Sequence, residues 1–118
     1  MEYKQVQNQT EWIEETSRLR QMYEDAMPEV MNAQAAVREA TYKDGAISRK
    51  MKHLMATAIA IRIGCQRCIN FQPKLAIEQG ATKEELLETI SVAIAMGGTP
   101  SIGWAHHVIK YMEEQGIM

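Results

Sequence analysis

The sequence predicts an all-helical fold, and three observations carry that prediction. No stretch alternates Val, Ile, Thr and aromatic residues as a half-buried strand does, and no Asn-Gly hairpin turn is present. Helix signals recur instead: Asn8, Pro28, Ser48, Thr82 and Pro100 as starts, and Gly45, Gly64, Gly80, Gly97-Gly98 and Gly116 as stops. The segments between these signals are each a few turns long. The expectation is a compact array of about six helices in a single domain, residues 1–118.

Each element has a local reason. Asn8, with Glu11 three residues on, forms the pattern of a capping box and opens a first helix through about Asp25. Pro28 suits the first turn of a second helix, "PEVMNAQAAVREATY", which stops at Asp44-Gly45. Ser48 caps "RKMKHLMATAIAIRI", and Gly64 ends it. In this third helix Met51, Leu54, Met55, Ala58, Ile59 and Ile63 leave little polar surface, which predicts a central buried helix. A fourth helix runs from the cysteines to Gly80. Thr82 and Glu85 box the start of "KEELLETISVAIAM", and Thr99-Pro100 opens "SIGWAHHVIKYMEEQ".

The bulk composition narrows the function. With 46% hydrophobic and 24% charged residues and a net charge of −2, the chain has no basic footprint for nucleic acid and no charge run for a membrane surface. Its most apolar run, Leu54 to Gly64, is about half a membrane span and contains Arg62. The polar start "MEYKQVQNQTEW" does not read as a signal peptide, so the expected compartment is the cytoplasm. Nine Met and abundant Ala leave much apolar surface to cover, which predicts a homo-oligomer.

The stretch "IRIGCQRCINFQPK", residues 61–74, holds both cysteines of the chain. At the first turn of a helix, unpaired backbone N–H groups and the helix dipole stabilise a thiolate, the reactive form. A second sulfur one turn away can resolve a sulfenic acid or a mixed disulfide. In a reducing compartment a Cys-x-x-Cys pair favours redox chemistry over inert packing, and inert packing over metal binding. Metal binding ranks last because His106 and His107 are adjacent, so they diverge by about 100° on a helix. No second Cys pair supplies the missing ligands. His106 and His107 read as a polar helix face, or one of them as a satisfied partner near a subunit contact. Gln72 shares a stripe with Cys65 and Cys68, seven and four residues after them. Whether His53, three turns before Gly64, reaches that stripe is left open by periodicity.

The sequence resembles the carboxymuconolactone decarboxylase-like family, and within it the alkylhydroperoxidase D-like branch. The resemblance covers residues 45–115 and rests on "HLMATAIAIRIGCQRCINF", "AIEQGATKEELLETISVAIAMGG" and "TPSIGWAHHVIKYMEE". Residues 1–44 lie outside it and are expected to form N-terminal helices, with an arm over a subunit interface as one use. The resemblance implies an all-α trimer or hexamer acting as a thiol-disulfide oxidoreductase and peroxidase. It implies no cofactor beyond a redox-active disulfide, a hydroperoxide or disulfide substrate, and a thiol electron donor.

That branch places a Glu twelve residues before the first Cys and a His four residues after the second, as a proton relay. Carried over, Cys68 attacks the peroxide and Cys65 closes the disulfide. Here the Glu position is His53 and the His position is Gln72. Glutamine cannot take up a proton, whereas His53, with an ordinary pKa of about 6.5, can. The relay is therefore either relocated to His53 or weakened. Two further expectations follow: Pro73 kinks the fourth helix or breaks it near Gln72, and Arg62, set in the apolar third helix, has a partner, an ion pair within or between subunits ahead of a cation serving the thiolate or an acidic substrate. Two other readings stay open, a lactone decarboxylase that does not use the cysteines and a non-catalytic oligomeric binding or scaffold protein.

Overall fold

The computed structural model describes residues 7–118; the first six residues of the polar start lie outside the described part. Six helices follow in order: α1 (Gln9–Ala26), α2 (Pro28–Thr41), α3 (Arg49–Ile63), α4 (Gln66–Glu78), α5 (Lys83–Gly97) and α6 (Thr99–Glu114). No strand is present among the described residues.

The predicted caps form, except that the Asn8–Glu11 box closes on one side only. The Asn8 side chain accepts from the N–H of Glu11, and Ser48 from that of Met51. Thr82 and Glu85 cap each other reciprocally. Each such cap satisfies a donor that the helix start would otherwise leave unpaired.

The core is assembled from α3, α4, α5 and α6. Leu86, Ile90 and Ala93 recur at four- and three-residue spacing on α5, as do Ala105, Val108 and Met112 on α6. These stripes meet Leu54 and Ile61 of α3 and Ile69 and Ala76 of α4. Helix α3 corrects the sequence reading. It buries one face, His53, Leu54, Thr57, Ala60 and Ile61, while Met51, Met55, Ile59 and Ile63 stand exposed. Periodicity locates an apolar stripe but does not say which stripe the chain itself covers. Helix α2 lies against α1 and buries none of its side chains.

Helix α1 is fastened to α6 by Glu114, whose carboxylate accepts from Gln9 N (2.8 Å), Thr10 N (2.7 Å) and Thr10 Oγ1 (2.6 Å). Burial pushes this carboxyl up, but the bonds from Thr10 and Gln9 outweigh it and hold its pKa below the ordinary value. A depressed carboxyl stabilises the fold above its ordinary range, and that contribution is lost as pH falls through the folded pKa. Glu114→Ala strands three donors and is expected to cost about 2–3 kcal/mol. Denaturant unfolding at neutral pH checks this, and a loss under about 0.5 kcal/mol, the level of an ordinary surface change, would refute the clamp.

Candidate active site

The turn between α3 and α4 builds the cysteine site. Gly64 takes a left-handed conformation (φ 74°), which glycine adopts without a Cβ penalty. It lets the N–H groups of Gly64 and Cys65 both return to the Ala60 carbonyl, at 2.9 and 3.2 Å, closing α3 in the manner of a Schellman turn. A Cβ on Gly64 would stand 2.9 Å from Trp104 Nε1. The turn is thus fixed by conformation and by contact.

The chain leaves this turn with Cys65 as the N-cap of α4, where its sulfur accepts from Cys68 N at 3.3 Å. The Cα atoms of Cys65 and Cys68 are 5.3 Å apart and the two are joined as a disulfide. Both sulfurs are therefore at the positive end of α4, the placement the sequence predicts.

Helix α4 then runs unbroken to Glu78 through a buried Pro73. The predicted break near Gln72 is absent. Packing of Ile69, Asn70, Pro73 and Ala76 into the core holds the helix together across the missing N–H. Gln72, one turn beyond Cys68, meets His53: His53 Nδ1 lies 2.7 Å from Gln72 Oε1. An amide oxygen only accepts, so Nδ1 carries the proton in this pair and Nε2 keeps its lone pair. Nε2 is buried with no hydrogen-bond partner among the described residues. Tyr42 stacks flat on the imidazole, with centroids 4.2 Å apart and planes 7° from parallel. Burial lowers the His53 pKa, and the Gln72 bond offsets part of that effect. His53 is accordingly neutral at neutral pH, the form that can accept a proton.

Two cavities meet at Gln72, Arg38 and Leu75. One, of about 370 Å³, is lined by both cysteines, Arg20 and Arg67. The other, of about 400 Å³, is lined by His53, Tyr42, Arg49 and Glu39. The structure thus brings Cys65, Cys68, Gln72 and His53 into one continuous region.

Arg62 is not part of it. It is exposed, with no ion pair among the described residues, because it lies on the face of α3 turned from the core. His106 is exposed, and half-buried His107 bonds Gln9 Oε1 at 3.1 Å, a structural tie between α6 and α1. No group of three or more His, Cys, Asp or Glu is placed to hold a metal among the described residues. The convergence of Arg20, Arg38 and Arg67 on the disulfide escaped sequence reasoning, since these residues come from α1, α2 and α4 with no shared spacing. Tyr42 was missed for a similar reason, lying at the end of α2 beyond any motif.

The sequence model of the Carboxymuconolactone decarboxylase family matches residues 28–111. The chain belongs to this family. Two relatives are uncharacterised proteins. One, from Cupriavidus necator, is 34% identical over 88 residues, covering 75% of this chain and 78% of its own. The other, uncharacterised protein 4 of the cox locus of Paracoccus denitrificans, is 31% identical over 100 residues, covering 85% and 84%. Among solved structures, a carboxymuconolactone decarboxylase family protein of Legionella pneumophila superposes with a TM-score of 0.85 at 34% identity, covering 90% of this chain and 95% of that one. A Thermotoga maritima member of the family, an antioxidative-response candidate, gives a TM-score of 0.71 at 22% identity, covering 87% and 95%. At that identity the Thermotoga likeness speaks for the carboxymuconolactone decarboxylase fold alone. No helix of the described residues is long and apolar enough to cross a membrane.

Proposed function

We propose that this family member is a thiol-disulfide oxidoreductase of the cytoplasm that reduces hydroperoxides through Cys65 and Cys68. The observation that carries the reading is the disulfide-bonded pair at the N-terminus of α4, opening into a cavity whose continuation holds a neutral histidine. In this reading the Cys68 thiolate attacks the terminal peroxide oxygen. The O–O bond breaks, alcohol leaves with a proton, and Cys68 becomes a sulfenic acid. The Cys65 sulfur then attacks Cys68, water leaves, and the disulfide forms. His53 is the base that receives the thiol proton, through water in the adjoining cavities and not by direct contact with the sulfur, with Gln72 holding its ring. This relocates the proton acceptor from α4, where the resemblance puts it, to α3. No cofactor beyond the disulfide is invoked.

The same proposal includes self-assembly into a trimer or hexamer. The exposed stripe Met51, Met55, Ile59 and Ile63, beside Val92 and Met96 of α5, supports it as an apolar surface suited to a second copy.

The test is the pH dependence of alkylation of the reduced native protein, with Cys65→Ser and Cys68→Ser variants to assign each thiol. Cys68 is expected to titrate clearly below the free thiol value of about 8.5. The Cys68→Ser variant should consume no peroxide. Thiols that react only after unfolding would overturn the redox reading and leave a packing role. Lactone decarboxylation that survives loss of both cysteines would move the protein to the other chemistry.

A further inference from the structure

Among the described residues, the walls of the disulfide cavity carry three arginines and no carboxylate. Arg20 comes from α1, Arg38 from α2 and Arg67 from α4. Among the described residues none of the three makes an ion pair. Arg67 is positioned instead by neutral groups, a hydrogen bond to Thr16 Oγ1 and a stack of its guanidinium 4.2 Å above the Phe71 ring. The adjoining cavity adds Arg49 and Lys43 against one acid, Glu39, among the described residues. This concentration of positive charge sits on a chain whose net charge is −2. It is a local arrangement, not a reflection of composition.

The three cations also feel one another. Burial first, and then Arg20, pull the Arg38 pKa down, with Tyr42 and Glu24 offsetting part of the effect. Burial, Arg20 and Arg38 do the same to Arg67. Like charges gathered in a partly desolvated cleft are relieved by an anion. With both sulfurs in a disulfide, neither can be that anion. The field is therefore least balanced at the step when the pair waits to be reduced.

We propose that this arginine-lined mouth recognises the reductant, a small thiol bearing one or more carboxylates. The inference rests on the redox reading above and supplies the class of its electron donor. The attacking group is itself a thiolate, so the cations favour its ionised form as well as its carboxylates. Its sulfur bonds to one Sγ, the Cys65–Cys68 bond breaks, and the released thiolate takes a proton. A second donor thiol attacks the mixed disulfide, the donor leaves as its own disulfide, and the second cysteine takes a proton. Two donor thiols supply two electrons and two protons; one protein disulfide becomes two thiols.

The test follows reduction of the oxidised full-length protein by quenched alkylation and mass spectrometry. Mercaptosuccinate, 3-mercaptopropionate, 2-mercaptoethanol and cysteamine are compared at equal thiolate concentration. The carboxylate thiols are expected to react at least about tenfold faster than 2-mercaptoethanol, with cysteamine slowest. The preference should collapse toward one as salt approaches 1 M, where charges are screened within about 3 Å. It should shrink in Arg20→Gln and Arg38→Gln, read against 2-mercaptoethanol in the same variant, and persist in Arg38→Lys. A flat ranking with dithiothreitol still reducing the pair overturns this proposal and leaves the redox reading standing. A disulfide that dithiothreitol cannot open in the folded protein overturns both. A carboxylate preference found only during oxidation, for a carboxylate-bearing over a neutral hydroperoxide, overturns it in favour of a peroxide site.

Discussion

Replacing His53 by glutamine is expected to slow oxidation of Cys68 by about 10²–10⁴-fold near neutral pH, the usual range for loss of a general base. The substitution is chosen because a glutamine amide can still donate to Gln72 Oε1, as His53 Nδ1 does now. It removes the lone pair on Nε2, which is buried and without a partner among the described residues. The wild-type rate should fall only below the ordinary histidine pKa, because burial depresses that of His53, and the variant should lose this limb of the profile. Stopped-flow oxidation of the reduced protein across pH reads both effects. A variant with unchanged rate and unchanged pH profile would show that His53 fills space and nothing more. Stability carries the same signature. The unfolded chain binds a proton at His53 more readily than the folded one. The folded state therefore loses stability as pH falls from about 6.5 toward the depressed value, and is unaffected above it. Glu114 and Glu85, whose pKa values are also lowered, act in the same direction but only below the ordinary carboxylate range.

Gly64→Ala is expected to destabilise the protein by about 2–4 kcal/mol, combining roughly 1–2 kcal/mol for a left-handed alanine with the crowding typical of an overfilled site. The added methyl would meet Trp104 at 2.9–3.3 Å across three ring atoms. Relief requires either rotating the indole or unwinding the turn, and the second moves the Cys65 N-cap. Thermal unfolding together with peroxide turnover distinguishes the two. A lower melting temperature with unchanged turnover means the indole yields; loss of both means the turn yields. A stability within about 0.5 kcal/mol of wild type, the level of an ordinary surface change, would refute the constraint.

Much of this architecture was legible because helix ends are local events. Ser48, Thr82 and Pro28 act on donors within a few residues, and Gly64 on its own φ, so each could be read without knowing its neighbours. Contacts between distant residues were not legible. His53 lies eleven residues before Gly64 and Gln72 eight after it, about 16 Å and 12 Å along their helices at 1.5 Å per residue. Packing α3 against α4 therefore brings His53 opposite Gln72, not opposite Cys68, a distinction that spacing from the cysteines alone obscured. Arg62 and the Met51–Ile63 stripe misled for a related reason. An apolar surround in sequence became, in three dimensions, an apolar face turned outward. Of the kink or break expected at Pro73, the break did not occur because proline's cost is local, whereas the burial of Ile69 and Ala76 on either side is not.

The clamp between Glu114 and the start of α1 joins residues about a hundred positions apart. A contact of that span closes nearly the whole chain into a ring, so it gains nothing until the intervening helices have condensed. Helix α1, together with α2, which packs on it and buries no side chain, should then be the last to dock and the first to open in hydrogen exchange. It also carries Arg20 and Thr16, the latter holding Arg67. The charged mouth over the disulfide is thus completed only in the final step of folding, and a transient departure of α1 would take it apart while leaving the cysteine turn intact.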